Sequence, residues 1–474
     1  MKLRSSVRRT ATVPFRWSIA GERVTPMRLS IALMAGAIAL TTTVLTVTLR
    51  AQPPLRIDLD IRRTVLENGL TLLSIEDHSA PKINLMQYVR MGSRDEYQGT
   101  TGMSHRLEHL ILKPSGGNAA LYAELEKVGY SFGGHTFNDM TDYIMQVPPD
   151  SLELAVRVWA SHLEGLNTSP EVWERERQVQ INEFASGRTN AEIQILQRLY
   201  SMAYMSHPYQ WRASGWESDV ANMTLAQAEA AYDRFYVPAN TVLIVGGDFQ
   251  TDELIRLVKK HYGPIPARPA PVRSYTQEIG QSGSMDFTYR GPSPAWLYVA
   301  YHVPAYADSE QPLVQMIAAY LVKGRNSALG TRLREVADRV QARDIDLYRA
   351  DPALLVFKVE LKRADQHDAA LSTFTAVVED LQTRLLSADE FTRVRNRVET
   401  DFVSYILHPV WRLWTQGGKS HWIGQNYLLT GDVRFYETRL DAYRAATPEM
   451  LRAAARKYLD PTGRIVVRSG QGQR

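Results

Sequence analysis

Cysteine is absent from the 474 residues of this chain, and its absence limits the chemistry available to the protein. Without cysteine the chain has no disulfides and no thiolate ligands for a metal ion. Any bound metal must therefore be held by histidine, aspartate and glutamate side chains. The composition, 44% hydrophobic and 22% charged, is that of a globular protein, and the length predicts two or more domains.

The chain has no excess of basic residues after residue 51; we call this remainder, residues 52–474, the body of the protein. Residues 1–51 contain eight Lys or Arg and one Glu, a net charge of +7, whereas the whole chain carries +4. The remainder therefore carries 4 − 7 = −3. A mildly acidic body does not attract a polyanion, so we predict no nucleic-acid partner.

Long uncharged stretches are scarce, and residues 29–49 form the one that stands out. This apolar run follows basic residues and precedes Ala51, the pattern of a secretory signal cleaved after that alanine. Its 21 residues could equally span a bilayer as a retained membrane anchor, and Met27 is an alternative start. We expect residues 1–51 to direct export to the periplasm, with the body either soluble after cleavage or anchored to the inner membrane.

The rest of the chain contains two stretches of similar design. Residues 63–96 predict three strands with a turn at Asn68-Gly69. Helical patterns dominate 103–236, interrupted by a predicted strand near Asp142–Val147, and 242–249 is an apolar strand run. The proline-rich stretch 263–271 predicts a linker. Residues 295–304 then predict a strand, helices follow, and the chain ends in another apolar strand run.

These patterns predict an α+β fold made of two tandem related domains, each an antiparallel sheet packed with helices. The predicted boundaries are 55–262 for an N-terminal domain, 263–275 for a proline-rich linker and 276–470 for a C-terminal domain.

The candidate chemistry lies in the segment SHRLEHLIL, residues 104–112. His105 and His109 are four residues apart and share one face of a predicted helix, with Glu108 beside them. An ordinary exposed helix with polar residues is the alternative. A catalytic zinc typically takes three protein ligands, so a third must come from another element. The helical segment 174–184 offers Glu176 and Glu183 on one face, unless that face is simply solvated.

The sequence resembles the pitrilysin/insulinase family of zinc metallopeptidases, in which His-x-x-Glu-His replaces the more common His-Glu-x-x-His. The resemblance covers about residues 60–470. It is carried by SHRLEH, by Glu183 at the end of ERQVQINE, and by several flanking blocks: LENGLTLL, MGSRDE, TFNDMTDY, SHPY, YVPANTVLIVGGD and NSALGTRLRE.

The resemblance implies one Zn²⁺ per chain, bound by His105, His109 and Glu183. It implies Glu108 as the general base that acts on a zinc-activated water, and Glu176 as a supporting acid that orients the site. The implied fold is one half of a peptidase clamshell.

The chain departs from the family pattern at several positions. Where the family has Asn-Ala-x-Thr, whose asparagine helps to bind the substrate backbone, this chain has Gly133-Gly134-His135-Thr136. His135 either takes over part of that asparagine's role or is a surface residue. A phenylalanine within the metal motif is replaced by Arg106. Active members also bring an Arg and a Tyr, seven residues apart, to the bound peptide; here the arginine is Arg334 but the tyrosine position is Gln341.

We therefore expect the zinc-bearing subunit of a heterodimer whose related partner supplies the Arg/Tyr pair. The predicted function is a zinc-dependent endopeptidase that hydrolyses peptides or small proteins. The alternative is a non-catalytic assembly or scaffold subunit of the same family. The zinc content of the purified protein, followed by peptide cleavage with and without chelator, separates the two hypotheses.

Overall fold

The computed structural model describes residues 57–113, 117–129, 131–343, 347–407 and 419–470. The export segment expected at 1–51 lies outside these residues. None of the described helices combines the length and the hydrophobicity required to cross a bilayer.

The first sheet contains six strands in the order β1-β2-β6-β3-β5-β4. The strands are β1 (Arg62–Val65), β2 (Thr71–Glu76), β3 (Ile83–Val89), β4 (Ser131–Thr136), β5 (Thr141–Val147) and β6 (Thr241–Gly247). Gly69 closes the β1–β2 hairpin with a φ of 92°, a left-handed conformation that glycine adopts at little cost. All residues of β3 and β6 are buried, as expected for central strands, whereas every residue of the edge strand β4 is half-buried.

Eight helices accompany this sheet among the described residues of the N-terminal half, 57–262. They are α1 (Met103–Leu112), α2 (Gly117–Glu126), α3 (Leu152–Ser161), α4 (Pro170–Arg188), α5 (Ala191–Ala203), α6 (Glu217–Asn222), α7 (Leu225–Phe235) and α8 (Thr251–Tyr262). Helix α1 packs against β4, α4 and α7. This packing places the segment with the two histidines between the edge of the sheet and α4.

The C-terminal half, residues 285–470, has a five-stranded sheet in the order β7-β11-β8-β10-β9. Its strands are β7 (Met285–Thr288), β8 (Trp296–Val303), β9 (Ala337–Ala342), β10 (Ala353–Leu361) and β11 (Ile465–Arg468). Its helices are α9 (Gln311–Val322), α10 (Ala328–Arg332), α11 (His367–Thr383), α12 (Ala388–Leu407), α13 (Lys419–Thr430), α14 (Phe435–Ala445) and α15 (Pro448–Tyr458).

The α+β class expected from the sequence is confirmed, with one refinement in each sheet. Most neighbouring strands are antiparallel, but β2 pairs with β6 and β7 pairs with β11 in parallel. These pairs join strands that are far apart in sequence, and parallel pairing requires such a long crossover connection. The domain boundaries at 262 and 276 remain a prediction.

The two halves share a hydrophobic core. Helix α13 of the C-terminal half lies on β3 and β6 of the first sheet, and its residues Trp422 and Ile423 belong to the same buried cluster as Tyr88 and Ile244. The helix approaches so closely at Gly424 that an added Cβ would lie 2.2 Å from Ile244 Cδ1. The contact between the halves is therefore as tightly packed as a domain interior.

A buried ion-pair cluster also joins the two halves. Arg94, whose side chain is 4% exposed, lies 3.0 Å from Asp139 Oδ1 and 2.7 Å from Asp351 Oδ2. Asp139 belongs to the N-terminal half and Asp351 to the C-terminal half. Tyr275, in the connecting segment, presents its ring 4.8 Å from the Arg94 guanidinium carbon. One arginine thus bridges both halves and the segment between them.

Candidate metal centre

Helix α1 begins at a buried carboxylate that fixes its position. Glu96 accepts hydrogen bonds from the backbone N–H groups of Gly102, at 2.8 Å, and Ser104, at 2.7 Å. These are N–H groups at the start of a helix that lack intrahelical partners. Burial raises the pKa of Glu96 to about 8. The helix carries His105, Glu108 and His109 from this fixed start toward α4.

The side chains of His105, His109 and Glu183 converge on one point. His105 Nε2 and His109 Nε2 are 3.2 Å apart. Glu183 Oε2, contributed by α4, lies 3.6 Å from the first nitrogen and 3.5 Å from the second. In the part of the chain that the structure describes, this is the group of three whose ligand atoms all lie within 4.8 Å of one another.

This donor set fits a zinc ion. Atoms about 2.1 Å from a tetrahedral ion lie about 3.4 Å from each other, and the three observed separations are close to that value. Two imidazoles and one carboxylate are a ligand set of catalytic zinc sites, in which a fourth position stays open. The Glu183 side chain is 51% exposed, so the cluster is accessible from solvent.

Two of the three groups, His105 and Glu183, are held in the forms that bind a metal ion. Burial, together with the neighbouring His109, lowers the pKa of His105 to about 4. Burial opposes the charged form of His109 as well, but its hydrogen bond to Glu183 raises the pKa. That bond in turn lowers the pKa of Glu183. A neutral imidazole and an ionised carboxylate are the forms that bind a metal.

Glu176 supports this cluster from the buried side of α4. It lies seven residues before Glu183, and its side chain is 4% exposed. Its Oε2 atom is 3.3 Å from His109 Nδ1, the ring nitrogen that faces away from the cluster. Such a carboxylate fixes the tautomer and orientation of a ligating histidine. The sequence placed Glu176 on this face, whereas Glu174 is 58% exposed and pairs with Arg177.

Arg106 occupies a buried site between α1 and α4. Its Nε donates to Gln180 Oε1 at 2.7 Å, and its guanidinium carbon lies 4.6 Å from the centre of the Trp173 ring. Gln180 Nε2 is 3.0 Å from the carbonyl oxygen of Gly102 and 3.4 Å from His105 Nδ1. Arg106, which stands where the family has phenylalanine, therefore orients the Gln180 amide that contacts His105.

Glu108 is held on the side of α1 that faces β4. Thr136 Oγ1 donates a hydrogen bond to Glu108 Oε2 at 2.6 Å. Gly134, also in β4, leaves the room that Glu108 needs, because an added Cβ would lie 3.0 Å from Glu108 Cγ and Oε1. Burial raises the pKa of Glu108 to about 7. A carboxylate with that pKa can accept and release a proton near neutral pH.

His135 lies next to Thr136 in β4, on the same edge strand. Its Nδ1 is 3.0 Å from Oδ1 of Asp142, a fully buried carboxylate in β5, and this hydrogen bond raises the pKa of His135. The His135 side chain is 39% exposed. The structure thus places His135 in the same strand as Thr136, the residue that holds Glu108.

Arg334 and Gln341 lie in the C-terminal half. Arg334 is exposed, donates to the carbonyl oxygen of Thr331 at 3.1 Å and accepts at its own carbonyl oxygen from Lys362. Gln341 lies in β9, the edge strand of the second sheet, paired with Lys358. Among the described residues, no contact joins Arg334 to the histidine cluster.

The sequence analysis missed three residues of this region: Thr136, Gln180 and Asp142. Gln180 could have been found, since it lies four residues after Glu176 and three before Glu183 on the same helix face. Thr136 and Asp142 reach the site through the pairing of β4 with β5, in which His135 lies opposite Asp142. No local spacing rule indicates that pairing.

Comparison with protein families identifies two matching models that together span most of the described chain. Residues 71–213 match the model described as insulinase (peptidase family M16). Residues 222–398 match the model described as the peptidase M16 inactive domain. The metal cluster lies entirely within the first of these regions.

Individual relatives agree with these matches. The zinc protease PqqE of Helicobacter pylori is 27% identical over 355 residues, which cover 72% of this chain and 78% of the relative. Among solved structures, a protease from Helicobacter pylori matches with a TM-score of 0.78 at 22% identity and covers 87% of this chain and 99% of its own. The periplasmic protease PqqL of Escherichia coli matches with a TM-score of 0.72 at 18% identity, over 88% of this chain but 48% of its own.

Proposed function

Because this chain belongs to the insulinase/pitrilysin family, peptidase family M16, we propose that it is a zinc-dependent endopeptidase acting on peptides or small proteins. The observation that carries the proposal is the convergence of His105, His109 and Glu183 on one point, with Glu108 one residue from His109. The name zinc protease, given to the relative from Helicobacter pylori, supports the same activity.

Each residue of the centre has a defined task in this proposal. His105, His109 and Glu183 hold the ion, and Glu176 fixes the ring of His109. When bound, zinc supplies a Lewis acid that polarises the scissile carbonyl and makes water acidic enough to react at neutral pH. Glu108 accepts the proton of the attacking water at its carboxylate and delivers it to the leaving amine nitrogen.

The edge strand β4 gives the substrate a place beside this machinery. β4 pairs with β5 on one side, and in the described sheet no strand pairs with its other side. An extended peptide can add to such an edge through backbone hydrogen bonds. The residues that would line the added strand include His135 and Thr136, and Thr136 holds Glu108. An unfolded or flexible peptide is therefore the substrate class that fits.

A second candidate function is a non-catalytic assembly or scaffold subunit. It is favoured by Gln341, which stands where active members have a tyrosine, and by the match of residues 222–398 to a domain described as inactive. The intact ligand set weighs against this function, since a scaffold has no need of a base beside two histidines and a glutamate.

Three further features belong to the proposal. The proposal that the chain is exported rests on the signal-like segment 1–51, which lies outside the described residues. The proposal that it acts in the periplasm is supported by the structural neighbour PqqL, which is a periplasmic protease. Pairing with a related chain rests on the missing tyrosine. The matched region covers 48% of the PqqL chain, so two chains of this size would be needed to reach the length of that protein.

Exchange of the proposed base tests the function. We expect the Glu108→Gln variant to lose hydrolysis and to keep one zinc per chain, because the side chain is a base and not a ligand. Zinc content is measured by atomic emission, and hydrolysis with a quenched fluorescent peptide in the presence of any required partner. The matched variant His109→Ala should lose both, since two remaining ligands hold catalytic zinc poorly. Loss of zinc from Glu108→Gln would show that the roles are wrongly assigned.

A further inference from the structure

A cleft in the C-terminal half is lined by four arginines that have no acidic partner among the described residues. Its volume is about 1130 Å³, and it lies between the end of α9, the short helix α10, and helices α11 and α12. Four of its lining residues are exposed arginines from the loop after α9, from α10 and from α12: Arg325, Arg332, Arg393 and Arg397. This cleft shares no residue with the metal centre.

The acidic residues around the cleft are already paired with other cations. Asp380 and Glu390, the two acids that line it, both bind Arg384, at 2.6 and 2.9 Å. Asp401, one residue beyond the lining residue Thr400, lies 3.4 Å from Lys323.

Among the described residues, no side-chain hydrogen bond or ion pair involves the four arginines. Because the single charge of Arg384 is shared by two acids, one negative charge is left over, and the cleft carries a net charge of about 4 − 1 = +3.

The backbone holds these like charges near one another. Arg393 and Arg397 are four residues apart and lie on one face of α12, a spacing at which like charges destabilise a helix. Gly324, with a φ of 90°, brings the loop that carries Arg325 against Arg397, so that an added Cβ would lie 3.1 Å from Arg397 Nη2. An anion bound between these residues would relieve the repulsion.

We propose that this cleft binds an acidic peptide segment of another polypeptide, with apolar side chains between its carboxylates. The guanidinium fork matches the geometry of a carboxylate or a phosphate. However, the cleft is far larger than either group alone, and its lining includes apolar side chains: Ala319, Tyr320, Ala328, Val377 and Val394. A peptide with alternating glutamate and aliphatic residues covers both the charged and the apolar parts.

The occupant is not a segment of this chain, to judge by charge. The longer segments outside the described residues are 1–56, 408–418 and 471–474. The first is strongly basic, and the other two contain arginine but no acidic residue. Each would add positive charge to a positive cleft. The one acidic stretch outside the described residues, Asp344-Ile345-Asp346, has three residues, too few to cover a cleft of about 1130 Å³.

Binding of a labelled peptide tests the proposal independently of peptidase activity. The probe alternates glutamate with leucine and valine, and its fluorescence anisotropy is measured with the full chain carrying Glu108→Gln to prevent cleavage. We expect the added double substitution Arg393→Gln/Arg397→Gln to weaken binding at least about tenfold, because it removes two charge-assisted contacts. The matched control is Arg395→Gln, which lies on the same helix but does not line the cleft and should bind as tightly as the parent.

Further arms distinguish the other occupants. A probe with glutamine in place of glutamate should bind at least about tenfold more weakly, and sodium tripolyphosphate should bind more weakly than the acidic peptide. Equal binding by the double and control variants would overturn the proposal, as would tighter binding of tripolyphosphate. Self-association of the chain that disappears in the double variant would assign the cleft to a second copy and would also overturn it. Melting temperatures of all variants check that each is folded.

Discussion

Glu174 and Glu176 are two residues apart in α4 and have opposite surroundings. Glu174 is exposed and forms an ion pair with Arg177, whereas Glu176 is buried with an oxygen 3.3 Å from His109 Nδ1. A helix turns by about 200° over two residues, so one side chain faces solvent and the other faces the histidines. Substituting each glutamate in turn therefore distinguishes the effect of orienting the ligand His109 from the effect of removing a surface charge.

We predict that Glu176→Gln lowers zinc affinity by about 10–100-fold, because the carboxylate that orients His109 is lost. Glu174→Gln should change the affinity little. Competition with a chromogenic chelator gives both dissociation constants. Equal losses at the two positions would contradict the role assigned to Glu176.

His162 is a buried histidine outside the metal centre that links stability to pH. Its Nε2 is 2.8 Å from the hydroxyl of Tyr122, and burial lowers its pKa to about 3. In the unfolded chain the pKa is about 6.5. Between these values the unfolded chain binds more protons than the folded one, so the free energy of unfolding must fall as the pH falls below about 6.5.

We predict that His162 lowers the free energy of unfolding by about 2 kcal/mol between pH 7.5 and pH 5. The variant His162→Gln keeps a hydrogen-bonding group for Tyr122 but cannot titrate. Between pH 7.5 and pH 5 its free energy of unfolding should therefore fall by about 2 kcal/mol less than that of the parent. Urea denaturation at the two pH values measures the difference. Parallel losses in parent and variant would show that His162 is protonated in the folded state.

Among the secondary-structure elements, those with regular patterns were predictable from the sequence and the edge strand of the site was not. The turn at Gly69 and the apolar runs of β3 and β6 indicated their strands. β4 reads SFGGHT, and two glycines in six half-buried residues give no strand pattern. It forms because β5 supplies a ladder partner, which is a non-local contact. The strand that holds Glu108 was therefore missed, together with Thr136.

We predict that Gly134→Ala in β4 lowers the rate of peptide cleavage by up to about 100-fold, because the new Cβ would lie 3.0 Å from Glu108 Cγ and Oε1 and would push the base out of position. Zinc content should stay unchanged, since no ligand is touched. Gly187→Ala in α4 is the control: its Cβ would make an ordinary contact 3.6 Å from Ile193, and cleavage should continue. Zinc loss in Gly134→Ala would mean that β4 shapes the ligands as well as the base.

At the scale of the whole molecule, the proposed enzyme has all the residues of a zinc centre but lacks one of the two residues, the tyrosine, that active members bring to the bound peptide. Three converging side chains, a base and a supporting acid lie in the N-terminal half. Arg334 lies in the C-terminal half, and Gln341 cannot donate a phenolic proton to a developing oxyanion. A homodimer would leave the same gap in both copies.

We predict that the isolated chain is silent or weakly active on an unstructured peptide at saturating zinc, because loss of one oxyanion donor costs about 10²–10³ in rate. Addition of a related chain that carries the Arg/Tyr pair should restore turnover. Rapid, chelator-sensitive cleavage by the isolated chain would rule out the need for a partner.

The shared core between the halves could not be predicted from the sequence, because, like the pairing of β4 with β5, it depends on contacts between residues far apart in the chain. In the structure, Ser420–Tyr427 of α13 are all buried. The sequence of this helix, KSHWIGQNYLLT, does not indicate that burial or the sheet that covers it. The order of elements suggested two separate domains. The structure instead places α13 against the first sheet, through Tyr88 and Ile244.

The bridge formed by Arg94 has a consequence for how this chain denatures. Separating the halves would remove Asp351 from Arg94, which would keep Asp139, and would expose to water the apolar surface under α13, which is unfavourable. A partly unfolded form with one half intact is therefore scarcely populated. We therefore expect the two halves to melt in a single cooperative transition in a calorimetric scan, and either half produced alone to aggregate rather than fold.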